Sequence, residues 1–200
     1  MDLLNRTKEI FKDSISLKEH VLKTDLPEKI IEIADVMVHS IQNGGKIFFC
    51  GNGGSAADAQ HLAAELLIRL RSHVNRDSIP ALTLAMDTST ITACANDYSF
   101  DEIFARPLSG LGNKGDVVVG ITTSGKSPNV IRAFEVAKEK GIITIGFLGG
   151  ATAGAPAVHL CDYALVIPSA DTGRIQEVHI TAGHALMEVV EEKIMLSISR

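Results

Sequence analysis

Residues 46–58, KIFFCGNGGSAAD, pass from an unbroken apolar run into a glycine-rich turn and then into helical spacing. An apolar run this short, without polar alternation, reads as a strand buried on both faces, and such strands belong to parallel sheets covered by helices. Lys46 to Cys50 is the first of five such runs, followed by Ala81 to Ala85, Asp116 to Thr122, Ile142 to Leu148 and Tyr163 to Ile167. Strands that alternate with helices require right-handed crossovers. The expected fold class is therefore α/β: a doubly wound, five-stranded parallel sheet flanked by helices, with ligands at the carboxyl ends of the strands.

Ahead of the first strand, Leu3, Leu4, Ile10, Phe11 and Ile15, then Ile30, Ile33, Ala34, Met37 and Ile41, recur at three-to-four spacing. Pro27 predicts a break between two helices, and Gly44 with Gly45 a stop. The chain reads as one domain over residues 1–200, with 1–44 as an N-terminal helical segment and 45–200 as the α/β core. The opening helices have no evident place in the sandwich and are expected to serve oligomer contacts, as is a long last helix near Arg174 to Ser197.

With 200 residues, 46% apolar and 22% charged, the chain has material for one complete core. Nineteen Lys plus Arg against 24 Asp plus Glu leave a net charge of −5, which argues against a nucleic-acid partner or an anionic membrane surface. The absence of Trp removes the best stacking platform for single strands. Charges scattered through Met1 to Ser14 leave no apolar stretch for a secretion signal, and Gly141 to Val158 is too broken by Gly149, Gly150 and Pro156 to span a membrane. Cys50, Cys94 and Cys161 form neither a disulfide framework nor a CxxC zinc site. These features predict a cytoplasmic protein that meets any anionic ligand locally.

Two loops offer such a place. Gly51 to Asp58 (GNGGSAAD) lies between a strand and a helix, where glycines admit close backbone approach and the helix start directs free N–H groups at an anion, with the Ser55 hydroxyl beside them. Thr122 to Asn129 (TTSGKSPN) repeats the arrangement, with Ser127 as expected N-cap and Pro128 in the first turn. Its hydroxyls on Thr122, Thr123, Ser124 and Ser127 suit a phosphate, and hence a sugar phosphate. Two other motifs are spelled here. Gly51, Gly53 and Ala56 match a relaxed dinucleotide fingerprint, but the ribose-binding acid is missing, because Arg69 to Arg76 is basic. Gly120 to Ser127 is a literal GxxxxGKS, yet the one apolar run ending in Asp, Ala81 to Asp87, precedes it rather than following it.

On the helix after the first loop, His61 and Glu65 share a face, with Arg69 one turn further; on the last helix Gln176, His184 and Glu188 do the same. If the two helices meet, His61, Glu65, Gln176 and His184 supply two imidazoles, a carboxylate and an amide oxygen, a reasonable set for a divalent metal including zinc. His179 is expected to be structural, and His20, His39, His73 and His159 have no carboxylate constellation. Asn96 and Asp97 read equally as a turn or as ligands of substrate hydroxyls.

GNGGSAADAQHLAAEL, ACANDYSFDEIF, GITTSGKSPNVIRAF and GRIQEVHITAGH together resemble the phosphoheptose isomerases of the sugar isomerase (SIS) superfamily, over nearly the whole chain. The resemblance implies isomerisation of sedoheptulose 7-phosphate to D-glycero-D-manno-heptose 7-phosphate, the first step of bacterial ADP- or GDP-heptose formation for surface polysaccharide. It also implies a cytoplasmic homotetramer with sites at subunit contacts and one Zn2+ per subunit. Its metal ligands fall on His61, Glu65, Gln176 and His184. Its substrate contacts fall on Asn52, Gly53, Gly54, Ser55, Asn96, Asp97, Thr122, Thr123, Ser124 and Ser127, with Arg69, Glu65 and Gln176 joining them. Thr122 and Lys126 stand where the family usually has Ser and Asn. The chemistry needs a base, which Glu65 would supply, a second proton carrier in His184, and a metal or Gln176 to steady the developing oxyanion. A carboxylate bound tightly to zinc is a poorer base, so Glu65 would have to share the metal loosely or leave it. The alternatives are a non-catalytic SIS regulator or adaptor, and an isomerase of another sugar phosphate.

Overall fold

The computed structural model of the chain describes residues 2–150 and 155–198. Helices α1 (Leu3–Val21) and α2 (Leu26–Gln42) precede β1 (Ile47–Gly51), α3 (Gly54–Leu67), β2 (Ala81–Thr83), α4 (Thr88–Asp97) and α5 (Ala105–Leu111). Then come β3 (Val117–Thr122), α6 (Pro128–Lys140), β4 (Ile143–Gly149), β5 (Tyr163–Ile167) and α7 (Thr172–Ile198). All five apolar runs are strands, with ends shifted by a residue or so and β2 cut short at Thr83.

The strands form one parallel sheet in the order β2-β1-β3-β4-β5. The chain steps from β1 to one side, then crosses back to build outward on the other, so the direction of winding reverses between β1 and β3. Such a reversal opens a crevice above the carboxyl ends of the two strands. Both glycine- and hydroxyl-bearing loops follow β1 and β3, which places them on the two sides of that crevice.

Alternation along each strand feeds two cores. Ile47, Phe49, Val119 and Phe147 pack with Ile33, Met37, Leu62 and Leu186 of α2, α3 and α7. Phe48, Cys50, Val118 and Leu148 pack on the other face with Leu108, Val130 and Phe134 of α5 and α6. At the amino ends of the strands, Asp116 is buried and accepts from the Lys46 backbone N–H at 3.0 Å, Lys46 Nζ at 2.7 Å and the Asn113 N–H at 2.8 Å. A buried carboxylate satisfied by three donors holds β1 and β3 in register.

The opening helices differ from expectation in one respect. The break falls at residues 22–25 and Pro27 sits in the first turn of α2, where its missing N–H costs nothing. Helix α2 has a place in the sandwich, packed on α7 and β5, whereas α1 leaves Leu3, Leu4, Phe11 and Ile15 exposed. Arg174 ties α1 to α7 by donating to the Ile10 carbonyl at 2.8 Å. Helix α7 starts two residues earlier than its periodicity suggested, because Asp171 Oδ1 accepts from the N–H groups of Gly173 and Arg174. Among the described residues no helix is long and apolar enough to cross a membrane.

His179 is structural, as its spacing implied. It is 1% exposed, lies against Phe147, and its Nε2–H donates to the Leu148 carbonyl at 3.0 Å. Burial holds its pKa down, to about 4, against the opposing pull of that hydrogen bond. The unfolded chain therefore binds a proton between pH 6.5 and 4 that the folded chain refuses, so stability present above pH 6.5 is lost as the pH falls toward 4. In urea titrations, the wild-type protein should lose about 2 kcal/mol more between pH 7 and 4.5 than His179→Gln does. Equal losses in the two proteins would remove His179 from the acid response.

Candidate active site

The glycine loop and α3 bring the first group of residues to the crevice. Gly54 opens α3 at a point where an added Cβ would stand 2.7 Å from Gln176 Nε2, so glycine makes the room in which the Gln176 amide sits. Ser55 is buried in the first turn, and its N–H donates to the Asn52 carbonyl at 3.0 Å. Asn52 is matched reciprocally to Asn129 at the start of α6: each amide nitrogen donates to the other's oxygen, at 2.8 and 2.9 Å. This pair ties the two loops together across the switch point. Asn129 was missed in the sequence, and its position two residues after Ser127 was the available signal.

The second loop is a cluster of hydroxyls. Thr122 is buried, with Oγ1 at 2.9 Å from Ser127 Oγ and 3.5 Å from Ser124 Oγ. Ser127 does not cap α6 with its side chain, contrary to expectation, because its hydroxyl is turned to Thr122 instead. Thr123, Ser124 and Lys126 line a cavity of about 500 Å³, whose far wall is formed by Gly149, Thr172 and Ile175. Such a cavity combines neutral donors with one ammonium, which is suited to a phosphate.

The second group lies between α3 and α7. His61 Nε2 is 2.8 Å from His184 Nε2 and 3.3 Å from Glu65 Oε1, and the three ligand atoms lie within 4.8 Å of one another. The rings meet edge to face, with centroids 5.0 Å apart. The other carboxylate oxygen, Glu65 Oε2, is buried without a partner. Two facing imidazole nitrogens and a half-satisfied carboxylate are a donor set that a divalent cation such as zinc would complete. The approach of the helices depends on Gly183, where a Cβ would stand 2.8 Å from both methyl carbons of Leu62. Leu62 and Gly183 directly adjoin His61 and His184 in sequence, so this contact sets the imidazole separation.

Asp58 joins this group, and sequence reasoning overlooked it. Its Oδ2 is buried without a partner, and burial pushes its carboxyl up while His61 and His184 pull it down. The signal was its spacing, three residues before His61 and seven before Glu65, on the same helix face. Cys50, at the end of β1, is no nucleophile, because burial raises its thiol to about 12.

Other expected residues are not brought in. Helix α3 ends at Leu67, so Arg69 lies beyond it, exposed, with Nη1 donating to the Ser72 carbonyl at 3.2 Å. Asn96 and Asp97, read as a turn or as substrate ligands, are the last two residues of helix α4, exposed and bonded to each other at 2.8 Å. Glu188 is exposed on α7.

Comparison with known proteins follows the same lines. The SIS domain family profile matches residues 10–149. A phosphoheptose isomerase of Paramagnetospirillum magneticum is 54% identical over 164 residues, covering 82% of this chain and 83% of that protein. Among solved structures, the phosphoheptose isomerase GmhA from Neisseria gonorrhoeae superposes with a TM-score of 0.87 at 39% identity, covering 95% of this chain and 99% of that one. A phosphoheptose isomerase from Francisella tularensis gives 0.90 at 35% identity, covering 96% and 100%.

Gly183→Val should force α7 away from α3, lowering stability by about 1–3 kcal/mol and weakening zinc binding about tenfold or more. Thermal melts and zinc calorimetry would read both effects. Full zinc affinity in the folded variant would dissociate the helix contact from the donor set.

Proposed function

The chain belongs to the SIS domain family and is a phosphoheptose isomerase, and from that premise we propose how its own residues convert sedoheptulose 7-phosphate to D-glycero-D-manno-heptose 7-phosphate. The carrying observation is the convergence of His61, Glu65 and His184 from two helices, close to a hydroxyl-lined crevice. Helix α7 links the two places: Ile175 borders the hydroxyl cavity, Gln176 meets Gly54, and His184 lies about 13 Å further along by the helical rise. That separation suits an extended sugar chain held by its phosphate at one end.

Thr122, Thr123, Ser124 and Ser127 hold the phosphate, with Asn52, Gly53, Gly54 and Ser55 lining the approach. Lys126, on the rim of the same cavity, adds a positive charge to an otherwise neutral cradle. Glu65 takes a proton from C1 while O2 is protonated, giving an enediol; loss of the O1 proton and return of a proton to C2 complete the aldose. His184 carries protons between the two oxygens. Gln176 donates to the oxygen on which negative charge develops. His61, Glu65, Gln176 and His184 would hold zinc, which would supply Lewis-acid polarisation of the carbonyl. Supporting this division of labour, the two oxygens of Glu65 have different surroundings: Oε1 faces His61, while Oε2 is buried and unpartnered. One oxygen would then be free to hold the metal while the other acts as the base. A regulator or adaptor without chemistry would have no use for that buried, unsatisfied carboxylate.

The assembly belongs to the same reading. Residues 1–200 form one SIS domain, with the 1–44 segment serving a cytoplasmic homotetramer; the exposed Leu3, Leu4, Phe11 and Ile15 on α1 support this. Active sites at subunit contacts give Arg69, Asn96 and Asp97 their place at the substrate. The product enters ADP- or GDP-heptose formation for surface polysaccharide.

Glu65→Gln should lower kcat about a hundredfold or more with the fold retained, measured by proton NMR of aldose formation in heavy water, where the wild-type enzyme places deuterium at C2. Near-normal turnover would exclude Glu65 as the base. Ser124→Ala should raise KM several-fold at nearly constant kcat, since the phosphate contact is shared by ground and transition states. An unchanged KM would put the phosphate elsewhere.

A further inference from the structure

A buried charged network that no step above uses closes off the far end of α3. Arg76 belongs to the segment after that helix, yet its side chain is only 1% exposed, as is that of Glu191 on α7. Arg76 Nε donates to Glu191 Oε2 at 2.9 Å, and Arg71 Nε donates to Glu191 Oε1 at 2.8 Å, so both carboxylate oxygens are engaged by arginines. The rest of the Arg76 fork turns to the end of α3. Its Nη2 donates to the main-chain carbonyl of Glu65 at 2.8 Å and its Nη1 to that of Leu66 at 2.9 Å. These are among the last carbonyls of a helix, which have no partner within it.

Glu191 follows His184 by seven residues, two helical turns, so the two side chains leave α7 on the same face. One guanidinium therefore joins the main chain of Glu65 to the face of α7 that carries His184. We propose that Arg76 and Glu191 are positioning residues, an ionic clamp that fixes the depth of Glu65 against α7 and thereby its spacing from His184. The proposal rests on the reading of Glu65 and His184 as the working pair. A buried ion pair is a poor device for stability alone, because desolvation consumes most of its Coulombic gain. Apolar side chains of equal volume would fill the space, but they would take away the donor of the Glu65 carbonyl and leave that of Leu66 to the Ile79 N–H alone. What the clamp supplies is a single geometry, fixed by the planar fork of an arginine.

The test compares Arg76→Lys and Glu191→Gln with Asp116→Asn, in the full-length zinc-loaded protein. Asp116 is a comparably buried ion-pair carboxylate, but it lies at the amino ends of the strands, away from the crevice. Turnover is measured on sedoheptulose 7-phosphate well below each variant's Tm, and zinc retention by competition with a chelator. Both clamp variants should lose about tenfold or more in kcat and in zinc affinity, with KM within about twofold. Asp116→Asn should lower Tm and leave kcat, KM and zinc affinity unchanged. If Arg76→Lys does not fold, the nearly isosteric Glu191→Gln decides. Unchanged kcat and zinc affinity in a folded clamp variant would overturn the proposal, and so would equal losses in Asp116→Asn, which would reduce the clamp to a stability effect. A wild-type protein without turnover would instead refute the isomerase reading, and the zinc measurement would still decide the clamp.

Discussion

Helix α3 begins after the first strand and α7 ends the described chain, yet the site exists only where the two touch. The touching is a matter of volume. Leu62 fills the space that a side chain at position 183 would need, and with glycine there the helices close until His61 and His184 stand 2.8 Å apart at their Nε2 atoms. Both helices press the same apolar face of the sheet, with Leu62, Leu66, Leu186 and Val190 in one buried cluster, so the contact is backed by the core. Close-packed interiors transmit such constraints, since a displaced helix must move everything it is packed against.

The crevice meets a second requirement, that of an acidic protein holding a phosphorylated sugar. With a net charge of −5, long-range attraction is unavailable, and the solution is local. The switch between β1 and β3 turns two helix starts and their loops toward one space, and the reciprocal Asn52–Asn129 amide pair keeps those loops in fixed relation. Hydroxyls of Thr122, Ser124 and Ser127 are already bonded among themselves, a preorganised set that needs little reordering to receive an anion. Asp116 and Glu191, buried elsewhere, have their carboxylates paired, whereas Asp58 and Glu65 in the candidate site each keep a buried oxygen without a partner.

The five apolar runs made the strands legible, because a strand buried on both faces has no polar positions to blur its reading. Helical spacing placed His61 with Glu65 and Gln176 with His184, because three- and four-residue offsets settle which side chains share a face. The same rule misled at Arg69, where the helix had already ended at Leu67. It also left Asp58 unnoticed, although the offsets to His61 and Glu65 were there. Ser127 had the residue type and position of a cap, but the nearby Thr122 hydroxyl, brought in by the turn, competed for it.

By itself the sequence determined the α/β class, the parallel strands and the two anion-receptive loops, all consequences of local pattern and short-range backbone chemistry. Only the tertiary structure decided the strand order, the meeting of α3 with α7, the Asn52–Asn129 tie and the burial of Arg76 against Glu191. The last three join residues between 77 and 123 positions apart, and the strand order pairs β1 with β3 at a separation of 70, Ile47 with Val117. Spacing along the chain carries no information about such pairs, since they form only when the whole core closes and its volumes must fit.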